Sequence, residues 1–194
     1  GAAAQKLPYG IYHYSYALSA DDARREAALV VQLLQGTDPA CGVWLDMEDA
    51  DGYKAKRMTL TKSAITEICS TFVQAVQAAG YRCGVYANKS WLETYIDVRQ
   101  LNGCDIWLAQ WASKPTWSGT YTVWQYSATG TLTGLSGNFD MDLYYGDLDT
   151  TMTATEAITK LAAAGIIQSP KYWLNNHDKL PYLDDLLVNM AKHL

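Results

Sequence analysis

The chain has 194 residues, of which 49% are hydrophobic and 18% charged, with a formal net charge of −5. That size allows one sizeable core, or one domain with a small appendage, and the composition is that of a globular chain rather than a disordered one. The acidic balance and the lack of any basic run argue against a phosphate-tracking surface, so no nucleic-acid partner is expected, and no stretch approaches the ~18 apolar residues of a membrane span.

Residues 1–10, GAAAQKLPYG, read as the last turns of a helix running into a strand. That is an unusual place for a domain to begin, and it points to a missing N-terminal part; no signal peptide is read. Residues 9–17, YGIYHYSYA, follow a proline and carry β-prone aromatics, which predicts a strand. Residues 19–36 predict a helix, with Ser19 as N-cap, acids in the first turn and Gly36 as the C′ stop. Residues 41–49, CGVWLDMED, predict a second strand. Residues 60–80 predict a helix with Thr61 as N-cap, an apolar stripe of Ile65, Ile68, Phe72, Val76 and Ala79, and Gly80 as stop. A strand at 83–88, a short helix around 90–97 and strands at 105–111, 120–127 and 139–145 follow.

Alternating strand and helix argue for a parallel sheet with helices outside it. The strands are near-continuous apolar runs, as in sheets covered on both faces. Acids fall at or near their carboxyl ends, where α/β barrels place their chemistry. The fold class is therefore read as α/β: a TIM-like (β/α) barrel over residues 1–150, preferred over an open sheet, followed by a small helical module at 151–194. The module has a helix at 154–165, a short helix opened at 169–173 by Ser169 as N-cap and Pro170 at N1, and an amphipathic helix at 181–194. At about 40 residues it is too short to be comfortably stable alone. Packing on the barrel, wall targeting and oligomerisation are its alternative roles.

The densest chemistry lies in CGVWLDMEDA, residues 41–50, where Asp46, Glu48 and Asp49 crowd the end of an apolar strand. Like charges repel and a buried acid is desolvated, so such a cluster is costly unless solvated or put to use. Side chains alternate along a strand, so Asp46 and Glu48 share a face, Met47 takes the other and Asp49 falls at the rim. Repulsion between the two carboxylates raises one pKa, leaving one group protonated beside a charged partner. Cleavage of a glycosidic bond asks for such a pair: an acid for the leaving oxygen and an anion to support the positive centre. A solvated strand end is the alternative, as is a hard-cation site completed by Asp140 and Asp142. The aromatics, 14 Tyr and 7 Trp against 2 Phe, suit a groove that stacks sugar rings or a tyrosine-rich core. Cys41, Cys69, Cys83 and Cys104 match no zinc pattern and read as small buried hydrophobes, with a disulfide between neighbouring strands left open. His13 lies on the strand face opposite Tyr12 and Tyr14 and reads as a packed or hydrogen-bonded histidine. No cofactor and no metal is called for.

Five runs in order, PYGIYHYSYA, VWLDMEDA, GYRCGVYANKSW, DIWLAQW and VWQYSATGTLTGLSGNFDMDLYYGD, resemble glycoside hydrolase family 25, the Chalaropsis-type lysozymes of bacteria and phage endolysins. The resemblance covers roughly residues 1–148, and the DxE within LDMED is that family's catalytic signature. It implies an irregular barrel of βα units followed by strands. It also implies hydrolysis of the β-1,4 bond between N-acetylmuramic acid and N-acetylglucosamine in bacterial peptidoglycan, outside the cell or at the wall, after secretion or phage release. Carried over residue by residue, Glu48 is the general acid, Asp46 is its partner and orients the substrate's 2-acetamido group, and Asp140 is a further active-site acid. Tyr14, Tyr86, Trp107 and Gln125 sit on the matching strands and are expected to line the sugar groove, each with a reading as barrel core beside it.

The chain departs from the family at its start. The family's first strand, with an Asp in a D-V-S-like motif, and a second βα unit have no counterpart here. The barrel is thus expected to be N-terminally incomplete: a truncated chain, a gene fragment or a chain completed by another copy. An open barrel exposes two strand edges, and a homodimer or strand exchange through them is a hypothesis. Two functions follow: an active muramidase, or an impaired remnant that still binds wall glycan through its aromatic groove. A family 18 chitinase ranks below both, because Gly42, Val43, Trp44 and Leu45 stand where that family carries upstream acids.

Overall fold

The computed structural model describes residues 1–5, 7–146, 154–179 and 183–192. They fall into two compact units, Gly1–Gly146 and Asp147–Leu194. The first unit contains β1 (Ile11–Tyr14), α1 (Ala20–Leu34), β2 (Val43–Asp46), α2 (Lys62–Ala78), β3 (Cys83–Asn88), α3 (Lys89–Thr94), β4 (Asp105–Ala109), β5 (Val123–Gly130) and β6 (Phe139–Tyr144). The six strands form one sheet in chain order. β1 to β5 run parallel and β6 returns antiparallel to β5. With β1 and β6 at its ends rather than bonded to each other, the sheet is an incomplete TIM-like barrel.

Local chemistry sets these elements. Ser19 accepts a hydrogen bond from the Asp22 backbone N–H, and Asp21 and Asp22 occupy the positive end of α1. Thr61 does the same for α2 through Ala64. Gly36 and Gly80, at φ 77° and 91°, take the left-handed turn that ends each helix. Ala79, expected on the buried stripe of α2, is instead its exposed C-cap, because the helix stops a residue earlier than the apolar pattern. The strands are mostly shorter than the runs that predicted them, since the flanking residues turn into loops; β5 alone extends past its expected end, through two register shifts to Gly130.

The core lies on the helix side of the sheet. Val43, Leu45 and Met47 from the β2 segment, Val85 and Ala87 from β3 and Leu108 from β4 are all fully buried. They belong to one cluster with Ile65, Ile68, Phe72 and Val76 of α2 and Val30 and Leu34 of α1. Cys69 and Cys83 sit in this core, and all four cysteines are free thiols. On the other side of the sheet Trp44 lies across Gly84: a Cβ there would stand 2.4 Å from the indole, so only glycine fits beneath it. Trp44 in turn meets Trp107 edge-on, with ring centroids 5.7 Å apart.

The second unit contains α4 (Ala154–Ala163), α5 (Pro170–Leu174) and α6 (Leu183–Lys192). Its own small core is Ala157, Ile158, Leu161, Leu187 and Ala191. Pro170 is at the start of α5 as expected, but Ser169 is no side-chain cap: it stands in the left-handed region at φ 56° and makes no capping bond. Parts of the expected helix at 181–194 lie outside the described residues.

Candidate active site

The strand register lays the site out in a row. Tyr14 pairs with Asp46, Asp46 with Tyr86, and Tyr86 with Trp107 across four neighbouring strands. One step further along, Ala109 pairs with Gln125 and Gln125 with Asp142. Paired residues in adjacent strands point to the same face, so the register sets these side chains side by side on one face of the sheet.

Six of the seven residues expected at the site line one open cavity of about 170 Å³: Asp46, Glu48, Tyr86, Trp107, Gln125 and Asp140. Tyr12 lines it too, two residues before the expected Tyr14. Tyr14 lies beside the cavity, its ring 5.2 Å from that of Tyr16 and 5.4 Å from the Lys54 ammonium. Met47 points the opposite way and is fully buried in the core, as strand alternation requires.

The two central carboxyls differ in depth. Asp46 is 7% exposed, and its Oδ1 is buried with no hydrogen-bond partner among the described residues. Burial, then the charge of Glu48, push its pKa up to about 7, while Lys54 and His13 pull the other way. Glu48 is partly exposed; burial raises its pKa, Lys54 lowers it and Asp51 adds a smaller upward push. Asp140 stands exposed at the lip. Asp49 does not enter the cavity: its carboxylate accepts the backbone N–H groups of Lys54 at 2.6 Å and Ala55 at 2.9 Å, folding the following loop.

The wall is fixed by hydrogen bonds. The Tyr86 hydroxyl donates to Gln125 Oε1 at 3.2 Å, and the Trp111 indole donates to the same oxygen at 3.0 Å. Burial, together with Glu48, Asp46, Asp140 and Asp142, raises the Tyr86 hydroxyl well above its ordinary pKa, so it stays a neutral donor. Trp107 donates to Asp142 Oδ1 at 2.7 Å and packs edge-on to Tyr86 at 5.0 Å. Asp142, offered by the sequence as a cation ligand, thus orients an indole. Among the described residues no group of three or more His, Cys, Asp or Glu is placed to hold a metal ion. His13 stacks on Phe72 at 5.7 Å, and its Nε2 is 3.2 Å from Glu26 on the helix side of the sheet.

Sequence reasoning missed Tyr12, Trp111 and Lys54. Tyr12 shares Tyr14's face by simple alternation, and Trp111 ends the DIWLAQW run, so both carried a signal.

Residues 1–135 match the family model described as Glycosyl hydrolases family 25. The chain belongs to this family. Its lineage is therefore that of glycoside hydrolases. A lysozyme of Lactococcus phage mv1 is 30% identical over 127 residues, covering 61% of this chain and 61% of the phage protein. The crystal structure of the CTP1L endolysin aligns at 26% identity and a TM-score of 0.60, covering 73% of this chain and 48% of that one. The autolysin LytC from Streptococcus pneumoniae, solved in complex with a synthetic peptidoglycan ligand, shares the fold at a TM-score of 0.66 and 22% identity, over 74% of this chain and 35% of its own. The chain spans 61% of the phage lysozyme's length and about half of the endolysin's.

Proposed function

We propose that this family 25 chain is a peptidoglycan muramidase, hydrolysing the β-1,4 bond between N-acetylmuramic acid and N-acetylglucosamine, with Glu48 as general acid and Asp46 as its partner. The observation that carries the reading is the pairing of these two carboxyls in one cavity walled by Tyr86, Trp107 and Gln125. Both pKa values are raised, so the coupled pair keeps a proton into the neutral range. Glu48, the more exposed of the two, delivers it to the glycosidic oxygen. The unpartnered Oδ1 of Asp46 is an acceptor awaiting a donor, and the N–H of a 2-acetamido group is such a donor. Asp140 adds negative potential at the lip, where a positive centre develops in the transition state. The lysozyme relative and the peptidoglycan ligand seen in LytC point the same way.

The test is release of new reducing ends from purified peptidoglycan by the wild type and by Glu48→Gln. The reading expects release by the wild type that vanishes in the variant. Release that persists in Glu48→Gln removes the assignment, and no release from either favours the glycan-binding remnant. Among the described residues β1 pairs with β2 alone, which supports the further proposal of a second copy joining at that edge. Light scattering that finds only monomer removes that proposal.

A further inference from the structure

The loop between β2 and α2 carries the sequence DADGYKAKR, with three cations close together, and one of them turns inward. Lys54 is fully buried, a state an ammonium holds only when its charge and donors are met. Its Nζ donates to the Ser15 carbonyl and, at 2.7 Å, to the Glu48 carbonyl. The rings of Tyr14 and Tyr16 stand 5.4 and 5.9 Å from it. The ammonium therefore ties the residue after β1 to the residue that bears the proposed acid. The loop is drawn in from its own side as well. Asp49 holds the Lys54 and Ala55 N–H groups, and Asp51 accepts the Tyr53 N–H at 3.0 Å and the Tyr16 hydroxyl at 3.1 Å.

We propose that Lys54 is a positioning residue for the hydrolysis: it locks the Glu48 backbone to the end of β1 and sets a buried positive charge beside the Asp46–Glu48 pair. This rests on the muramidase reading, because it assigns Lys54 to that same site. The charged and titratable groups around the ammonium are Asp46 at the end of β2, Glu48, Asp49 and Asp51 in the loop, Glu26 of α1, Cys69 of α2, Tyr14 of β1, and Tyr16. The Lys54 charge favours the ionised forms of Asp46 and Glu48. Taking it away raises both, so the whole pH–rate bell moves to higher pH. Taking away its donors frees two carbonyls and loosens the acid's aim, which is felt in turnover more than in binding.

Lys54→Met keeps the length of the side chain and removes charge and donors together. On purified peptidoglycan its kcat is expected to fall about 100-fold with KM nearly unchanged, and its bell to move up by about one pH unit. A Lys54→Met enzyme with the wild-type kcat and the wild-type bell overturns the proposal. Glu48→Gln, run beside it, separates the two ideas: if that variant still hydrolyses, the muramidase reading fails; if it is dead while Lys54→Met is normal, only the role of Lys54 fails. Should Lys54→Met not fold, wild-type protein labelled with nitrogen-15 lysine gives the answer by NMR. The proposal expects a Lys54 Nζ signal protected from water exchange that shifts with the titration of Asp46. A signal that exchanges freely, or that ignores that titration, overturns it.

Discussion

Two aspartates sit at opposite ends of this sheet and are treated in opposite ways. Asp105 opens β4 at the amino end. Its Oδ2 accepts Arg82 Nε at 2.6 Å, and its Oδ1 accepts the Thr122 hydroxyl. Burial draws its pKa upward, but the Arg82 and Thr122 bonds win and hold it below the ordinary carboxylate range. Asp46 closes β2 at the carboxyl end. It is more deeply buried, one of its oxygens has no partner, and its charged neighbours include another acid. The fold satisfies an acid where it needs only a strong joint. It leaves one unsatisfied at the carboxyl end, where the proposed muramidase reading has a substrate donor fill the gap.

The largest effect that separates the two ends is on rate. Asp46→Asn is expected to lower kcat on peptidoglycan about 1,000-fold, whereas Asp105→Asn leaves it within about twofold. Equal losses would erase the distinction. The next effect is on stability, with opposite signs. The native pKa of Asp46, about 7, lies above its ordinary 3.8, so across that window the native state holds a proton the unfolded chain has released. Stability from this group is full below that window and falls as pH rises through it. Asp46→Asn removes the slope and should raise stability at pH 8 by about 2 kcal/mol. Asp105 has a lowered pKa, so its contribution is present above the ordinary carboxylate range and lost as pH falls. Asp105→Asn should cost about 1 kcal/mol at pH 7, vanishing in acid. Urea melts at several pH values check both signs.

The pH–rate profile sharpens the same contrast: activity should fall as pH rises through about 7, when the Asp46–Glu48 pair loses its last proton. The smallest effect belongs to the rim. Trp111→Phe removes the indole N–H from Gln125 Oε1 and should raise KM about threefold. A change in kcat instead would place Trp111 closer to the chemistry than its 67% exposure suggests.

Much of the site was legible because it follows from strand alternation. Asp46 and Glu48 share a face, Met47 does not, and that inference needs no tertiary knowledge. The caps of α1 and α2 were legible for the same local reason. Lys54 was not: DGYKAKR reads as a solvated loop, and only the carbonyls of Ser15 and Glu48, brought together by β1–β2 pairing, make a buried ammonium tenable. Tyr14 and Tyr12 show a finer limit. Alternation gives both the same face, but which one meets the cavity depends on Tyr16 and Lys54 packing against Tyr14. Ser169 shows another: its sequence context is that of a cap, while its backbone is in the left-handed region.

The central claim is that the paired acids cut the glycosidic bond on the reducing side of N-acetylmuramic acid. The most direct measurement reduces the digest of purified peptidoglycan with borohydride and identifies the new end group by mass spectrometry. The account predicts reduced N-acetylmuramic acid in the wild-type digest and none in that of Glu48→Gln. Reduced N-acetylglucosamine as the new end, or an unchanged product from Glu48→Gln, would contradict it.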